Sequence, residues 1–185
     1  MKRKIFEYGG IAASVMLIVF GIGSIGIGIA GVNEVRDNLA REQIVGTPDS
    51  SIPGQTVNTG SEAKAFATVM RKHALEATDG RTYAQMGRFL DANGKETNDE
   101  AQAAKDPKTG QPVANRARDI WVTETALATA LNVAFFAERV AFFSIAMGAM
   151  LLLTGIGFLV LTLGGAIQRS PSVRETVRSA EPAIN

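Results

Sequence analysis

The sequence predicts an all-α membrane protein, with two transmembrane helices forming a long helical hairpin that carries a small, mostly helical extracytoplasmic cap. Three observations predict it. Tyr8 through Asn33 contains no charged residue, and neither does Val140 through Gln168. Each run exceeds the roughly 20 apolar residues that cross a bilayer. The segment between them holds thirteen of the nineteen Lys and Arg and fifteen of the eighteen Asp and Glu. Small residues also recur along both runs at helical spacing, as in helices that approach closely in lipid. Two buried core helices of a soluble protein are the alternative, disfavoured because such runs are rarely this long.

The first run follows Lys2, Arg3 and Lys4, as in a signal peptide, and Gly28-Ile29-Ala30 resembles a cleavage site. Its length is well beyond the roughly 7–15 apolar residues of a signal, so it is expected to remain as a span. Orientation is read from the short flanks, because loops beyond roughly 60 residues escape the positive-inside rule. Three basic residues precede the first span, and Arg169, Arg174 and Arg178 follow the second. The predicted organisation is a cytoplasmic tail (1–7), a first span (8–33), an extracytoplasmic stalk and cap (34–139), a second span (140–168) and a cytoplasmic tail (169–185).

Each element has its own justification. "NEVRDNLAREQIV" has good helix formers, no glycine or proline, and Val35 and Leu39 at helical spacing. The first helix is therefore predicted to continue to about Val45 and end at Gly46. "GTPDSSIPGQTVNTG" is loop by composition. Thr59 and Glu62 stand in capping-box spacing and start a second helix near Ser61. Phe66, Val69, Met70, His73, Ala74 and Ala77 form its apolar face, and "TDG" stops it. "RTYAQMGRFL" is expected to pack as a short helix or an irregular segment. "DANGKETNDEAQAAKDPKTGQP" is polar and turn-rich, with one helical turn at "DEAQAA". A single helix is predicted from about Asn115 to Gln168, with Ala117, Ile120, Trp121, Leu127, Leu131 and Phe135 at helical spacing. At about 1.5 Å per residue it is longer than a bilayer is thick, so its first part must project as a stalk.

The stretch "GIGSIGIGIAG", residues 21–31, contains five glycines. Each costs about 1 kcal/mol relative to alanine in a helix interior, so a close backbone approach must offset it. At 100° per residue, Gly21, Ser24, Gly28 and Gly31 share one face, continued by Ser14 and Gly10. Gly23, Gly26 and Ala30, with Ala12, lie nearly opposite, and a ridge of Ile11, Ile18, Ile22, Ile25 and Ile29 runs between. On the second span Ala141, Gly148, Gly155 and Thr162 repeat every seven residues, with Ser144 beside them. One small face is expected to hold the second span and the other to meet a neighbouring protomer, which predicts a homo-oligomer.

The chemistry is sparse. No ionisable side chain lies in either span, so proton relays, voltage sensors and ion-coupled carriage are not expected. Ser14, Ser24, Ser144, Thr154 and Thr162 are each expected to bond a carbonyl one turn back. His73, the only imidazole, is expected to be packed and hydrogen-bonded, because no second histidine or cysteine could complete a zinc or iron site. Asp91, Asn93, Glu96, Asp99 and Glu100 cluster as in a calcium loop but lack its spacing, so a solvated turn is expected. There is no nucleophile elbow. No catalytic residue, metal or cofactor is expected. Glu138 and Arg139 are expected to anchor the outer interface. The net charge of +1 offers no basic stripe for nucleic acid, and the chain has no cysteine. The expected partners are the lipid bilayer, further copies of the chain, or another membrane protein.

"REQIVGTPDSS", "AKAFATVMRKHALEATDGRTYAQMGRFLD" and "IWVTETALATALNVAFFAERVAFFSIAMGAMLLLTGIGFLVL" resemble a group of actinobacterial two-pass membrane proteins, over nearly the whole chain. The resemblance implies a bacterial cytoplasmic membrane. Members often carry an automated label as aromatic ring-opening dioxygenases. Non-haem iron oxygenases commonly use two histidines and a carboxylate, and one chain here supplies one histidine. The expected function is a self-associating membrane scaffold or accessory subunit of a cell-envelope complex, without enzymatic activity. A homo-oligomeric pore and an extracytoplasmic sensor or binding module are the alternatives.

Overall fold

A computed structural model describes residues 2–164, with side chains from Tyr8 onward. The predicted tail at 169–185, with Arg169, Arg174 and Arg178, and residues 165–168 of the second span lie outside the described residues. So do the side chains of Lys2, Arg3 and Lys4.

The chain is mostly helical, and its two long apolar helices pack against each other. Helix α1 is Lys2–Arg41, α2 is Gly60–Ala77 and α3 is Arg116–Leu163; a short antiparallel pair, β1 (Phe89–Leu90) and β2 (Glu96–Thr97), lies between α2 and α3 in sequence. Two compact units divide the chain: Met1–Gly28 with Phe143–Asn185, and Ile29–Phe142. The described part of the first contains only stretches of α1 and α3. Their antiparallel order is fixed by contacts of Gly10 with Thr162, Ile18 with Gly155, and Ile25 with Gly148.

The second unit has a core of Leu39, Val57, Ala63, Ala67, Ala128 and Leu131. Along α3 the buried positions Trp121, Glu124, Ala128, Leu131 and Glu138 keep mostly to the three- and four-residue spacing of one helix face. Helix α2 begins as its sequence dictates: the Thr59 hydroxyl accepts from the Glu62 N–H, and the Glu62 carboxylate accepts from the Thr59 and Asn58 N–H groups. It ends where Asp79 and Gly80 adopt left-handed φ angles of 52° and 74°, and the Gly80 N–H closes back on the Leu75 carbonyl.

Four expectations are corrected. Helix α1 ends at Arg41, four residues before Val45. Gln43 turns left-handed (φ 52°), and Val45 then bridges Thr56 while the Ile44 carbonyl accepts from Val57 N–H. Gly46 lies inside that loop, where a side chain would strike the Ile52 carbonyl. The buried face of α2 is Gly60, Ala63, Ala67, Val69 and Ala74; Phe66 and Met70 are half-buried and Ala77 is exposed. Small residues take that face because α3 comes close: a Cβ at Gly60 would sit 2.8 Å from the Phe135 Cα. "DEAQAA" forms tight three-residue turns, with Asp99 accepting from Ala101 N–H. In residues 81–115 a short 3₁₀ helix at Tyr83–Gln85 agrees with the expectation, but β1 and β2, which flank an Asp91 turn that the sequence only marks as polar, were not expected.

Two buried carboxylates on α3 hold the second unit together. Glu138, 3% exposed, accepts from Gly60 N–H at 3.1 Å and from Arg36 Nε at 3.2 Å, and so ties α1 and α2 to α3. Glu124 meets Arg71 Nη1 at 3.0 Å, and the same guanidinium lies 3.9 Å from the Trp121 ring centroid. The Trp121 indole N–H donates to the Arg81 carbonyl at 2.8 Å. Each carboxylate is satisfied, which is what a buried charge requires.

Arg36→Ala strands the Glu138 charge in the interior and is predicted to cost about 3 kcal/mol. Glu138→Ala leaves the Gly60 N–H unpaired while Arg36 turns to water, for about 1–2 kcal/mol. Glu138→Gln keeps an acceptor and costs least. Thermal unfolding followed by circular dichroism checks that order.

Candidate functional site

The candidate site is a pair of helix faces, and its geometry follows from the absence of side chains. Gly21 and Gly148 meet backbone to backbone: a Cβ on Gly21 would lie 2.7 Å from the Gly148 carbonyl oxygen, and one on Gly148 would lie 2.6 Å from the Gly21 oxygen. A Cβ on Gly155 would lie 2.9 Å from the Ser14 carbonyl oxygen, and one on Gly10 would lie 2.9 Å from Thr162 Oγ1. Any larger residue would force these backbones apart. Ser14 is fully buried and donates to the Gly10 carbonyl at 2.8 Å; Thr154 and Thr162 likewise bond carbonyls one turn back, at 2.7 Å. Gly28 is buried, and Ser24 and Ser144 are half-buried. In the second unit a Cβ on the half-buried Gly31 would stand 3.3 Å from the Ala141 methyl. The ridge divides: Ile18 and Ile25 lie against Gly155 and Gly148, while Ile22 and Ile29 are exposed.

Among the described residues the opposite small face is open. Ala12, Gly23, Gly26 and Ala30 are all exposed, and nothing lies within 4 Å of a Cβ built on Gly23 or Gly26.

A groove of about 1010 Å³ opens in the second unit, walled by Val35, Ile44, Phe66, Met70 and Leu127, with Glu34 and Glu42 also on its lining. It has the apolar lining of a ligand pocket and a volume at the upper end of that class. Sequence reasoning missed it, because its walls come from three helices and a loop and no local pattern marks it.

His73 is hydrogen-bonded as expected, but only half-buried rather than closely packed. Its side chain is 43% exposed, and Nε2 lies 2.9 Å from Asp49 Oδ2. Asp49 also accepts from Lys72 Nζ at 2.9 Å and from the Thr47 hydroxyl at 2.9 Å. These bonds, Lys72 foremost and then His73, hold the Asp49 carboxyl far below the usual carboxylate range. The loop carrying Asp49 is thereby latched to α2. No sequence signal marked Asp49, which lies in a loop 24 residues before its histidine. Asp91 accepts from the Asn93 and Lys95 N–H groups and so is occupied by its own turn. Among the described residues no three His, Cys, Asp or Glu side chains converge as metal ligands would. Glu138 faces the interior of the second unit, whereas Arg139 is exposed, so the two expected interface anchors have different roles.

The chain matches no protein-family model, no curated protein and no solved structure.

Gly148→Leu is predicted to drive the two helices apart and destabilise the fold strongly, whereas Gly23→Leu leaves the stability within about 0.5 kcal/mol of the parent. Equal effects would remove the distinction between the two faces. A second prediction concerns the latch. Because Asp49 is depressed only in the folded chain, its contribution is full above the unfolded carboxyl pKa of about 3.9 and is lost as pH falls from there through the lower folded value. Amide protection in residues 44–56 should fall a few-fold in Asp49→Asn at neutral pH, the size typical of exposed ion pairs. Parent and variant should converge in strong acid.

Proposed function

We propose that the chain is a two-pass integral protein of the bacterial cytoplasmic membrane that self-associates as a scaffold or accessory subunit of an envelope complex, without chemistry of its own. One observation carries the membrane part. In the most apolar windows of α1 and α3 only 17% of residues are buried inside the protein. Phe20 is 66% exposed, Ile27 74%, Phe143 64% and Leu153 66%. Side chains of this size gain about 1.5–3 kcal/mol each on leaving water. Core helices of a soluble protein would bury them, so lipid is the medium that fits. Self-association is supported by the second small face, Ala12, Gly23, Gly26 and Ala30, which has the composition of a contact surface and is exposed among the described residues. A helix with a neighbour on each side suits a closed ring with a hydrophobic centre.

The flanking basic residues support a reading in which both termini are cytoplasmic and residues 34–139 lie outside. A cysteine at the exposed Asn98 is then labelled by an impermeant reagent on intact cells; labelling of a tail cysteine instead would invert the orientation.

Light scattering of the purified protein in detergent tests the scaffold reading. A discrete oligomer is expected, with Gly26→Leu lowering its mass while each protomer keeps its helicity and melting temperature. A strictly monomeric parent would overturn self-association, and reproducible unitary currents in planar bilayers would favour a pore. A second reading, a binding module for an apolar ligand, is favoured by the groove of about 1010 Å³. Stabilisation by an apolar ligand that Leu127→Trp abolishes would support it.

A further inference from the structure

The groove of the second unit carries a charge that its apolar walls do not explain. Of the large side chains that line it, Val35, Ile44, Phe66 and Met70 are half-buried and Leu127 and Val133 are exposed. Glu34, Asn38 and Glu42 line the same groove, and all three are exposed. Glu34 and Asn38 are one turn apart on α1. Glu42 follows just past the end of that helix, its N–H donating to the Leu39 carbonyl at 3.1 Å. Among the described residues neither glutamate side chain has an ion-pair or hydrogen-bond partner, and no Lys, Arg or His lines the groove. The neighbouring cations are committed elsewhere: Arg36 to Glu138, Arg71 to Glu124 and Lys72 to Asp49. One edge of an apolar groove therefore bears two unpaired carboxylates. Eight residues separate them, about 12 Å along a helix, too far for one cationic group to touch both. They act together through the negative potential that they set along that edge.

We infer that this groove binds a small organic cation with an apolar body, an alkylammonium or arylammonium rather than a neutral or anionic amphiphile. The body lies against Phe66, Met70 and Leu127, and the ammonium stays at the hydrated edge beside Glu34 or Glu42. Because both carboxylates are already at the surface, pairing costs little desolvation. The inference deepens the reading of the groove as a binding module for an apolar ligand and rests on that reading. A gap that takes up any hydrocarbon uses the walls alone and does not distinguish charge.

The test is methionine-methyl NMR of the full chain in a nonionic detergent, titrated with octylammonium, octanol and octanoate, which share one apolar chain. The Met70 methyl reports from the groove, and Met86, 3% exposed and outside it, is the internal control. Met70 should respond to octylammonium at about tenfold lower concentration than to octanol, with octanoate weakest, since each exposed ion pair contributes about threefold. Glu34→Gln and Glu42→Gln should each reduce the preference, the two together should abolish it, and Glu34→Asp with Glu42→Asp should keep it. Leu127→Trp should weaken all three probes. Met70 also borders a neighbouring cleft with His73 and Asp119, so Asp119→Asn should change nothing. Equal responses to octylammonium and octanol, or a preference that survives the double glutamine variant, would overturn the inference and leave the apolar-ligand reading standing. No response of Met70 to any of the three would overturn both.

Discussion

Gly21 and Gly148 meet backbone to backbone, and the pairing of the two long apolar helices depends on that close approach. In lipid, two apolar helices gain nothing by hiding leucine from the solvent, so pairing must come from close packing. The seam supplies it at Gly10, Gly21, Gly148 and Gly155, where a methyl group would already collide with the facing helix, Ser14 and Thr162 included. The buried hydroxyls return their protons to their own helices, so the contact asks for no partner across the seam. Large side chains are left facing outward on both helices, Phe20 and Leu153 among them.

The second unit follows a different logic. There the same two helices hold a third, α2, and specificity comes from buried charge. Glu138 fixes where α2 begins, through the Gly60 N–H, while Glu124 and Trp121 fix its other end through Arg71 and Arg81. These pairs hold register, because a carboxylate with fixed donors accepts one arrangement where apolar packing accepts several. Alanines at 63, 67 and 74 let α2 approach closely enough for those bonds to form.

The periodic features were legible in the sequence and the tertiary ones were not. The capping box at Thr59 and Glu62 and the start of α3 beside Asn115 follow from local hydrogen bonding. The seven-residue repeat from Ala141 to Thr162 is a one-dimensional pattern, and all four positions are buried. The end of α1 was misplaced because "EQIV" is acceptable helix sequence, and only pairing with residues 55–57 draws it out. Of the face that spacing predicts on α2, Val69 and Ala74 are buried, but Gly60, Ala63 and Ala67 are buried as well because close approach to α3 selects small residues. Glu138 gave no sign of its inward role, since its partners lie 102 and 78 residues away. The Asp49–His73 bond and the apolar groove depend in the same way on loop placement.

Spin labels at single cysteines test the central claim most directly, through their accessibility to oxygen, which dissolves in lipid, and to a water-soluble nickel chelate. Labels at Phe20 and Leu153 should be open to oxygen and closed to nickel, while labels at Ser14 and Thr162 should be shielded from both. Nickel access at Phe20 and Leu153, or oxygen access at Ser14 equal to that at Phe20, would contradict a lipid-facing helix pair closed along its glycine seam.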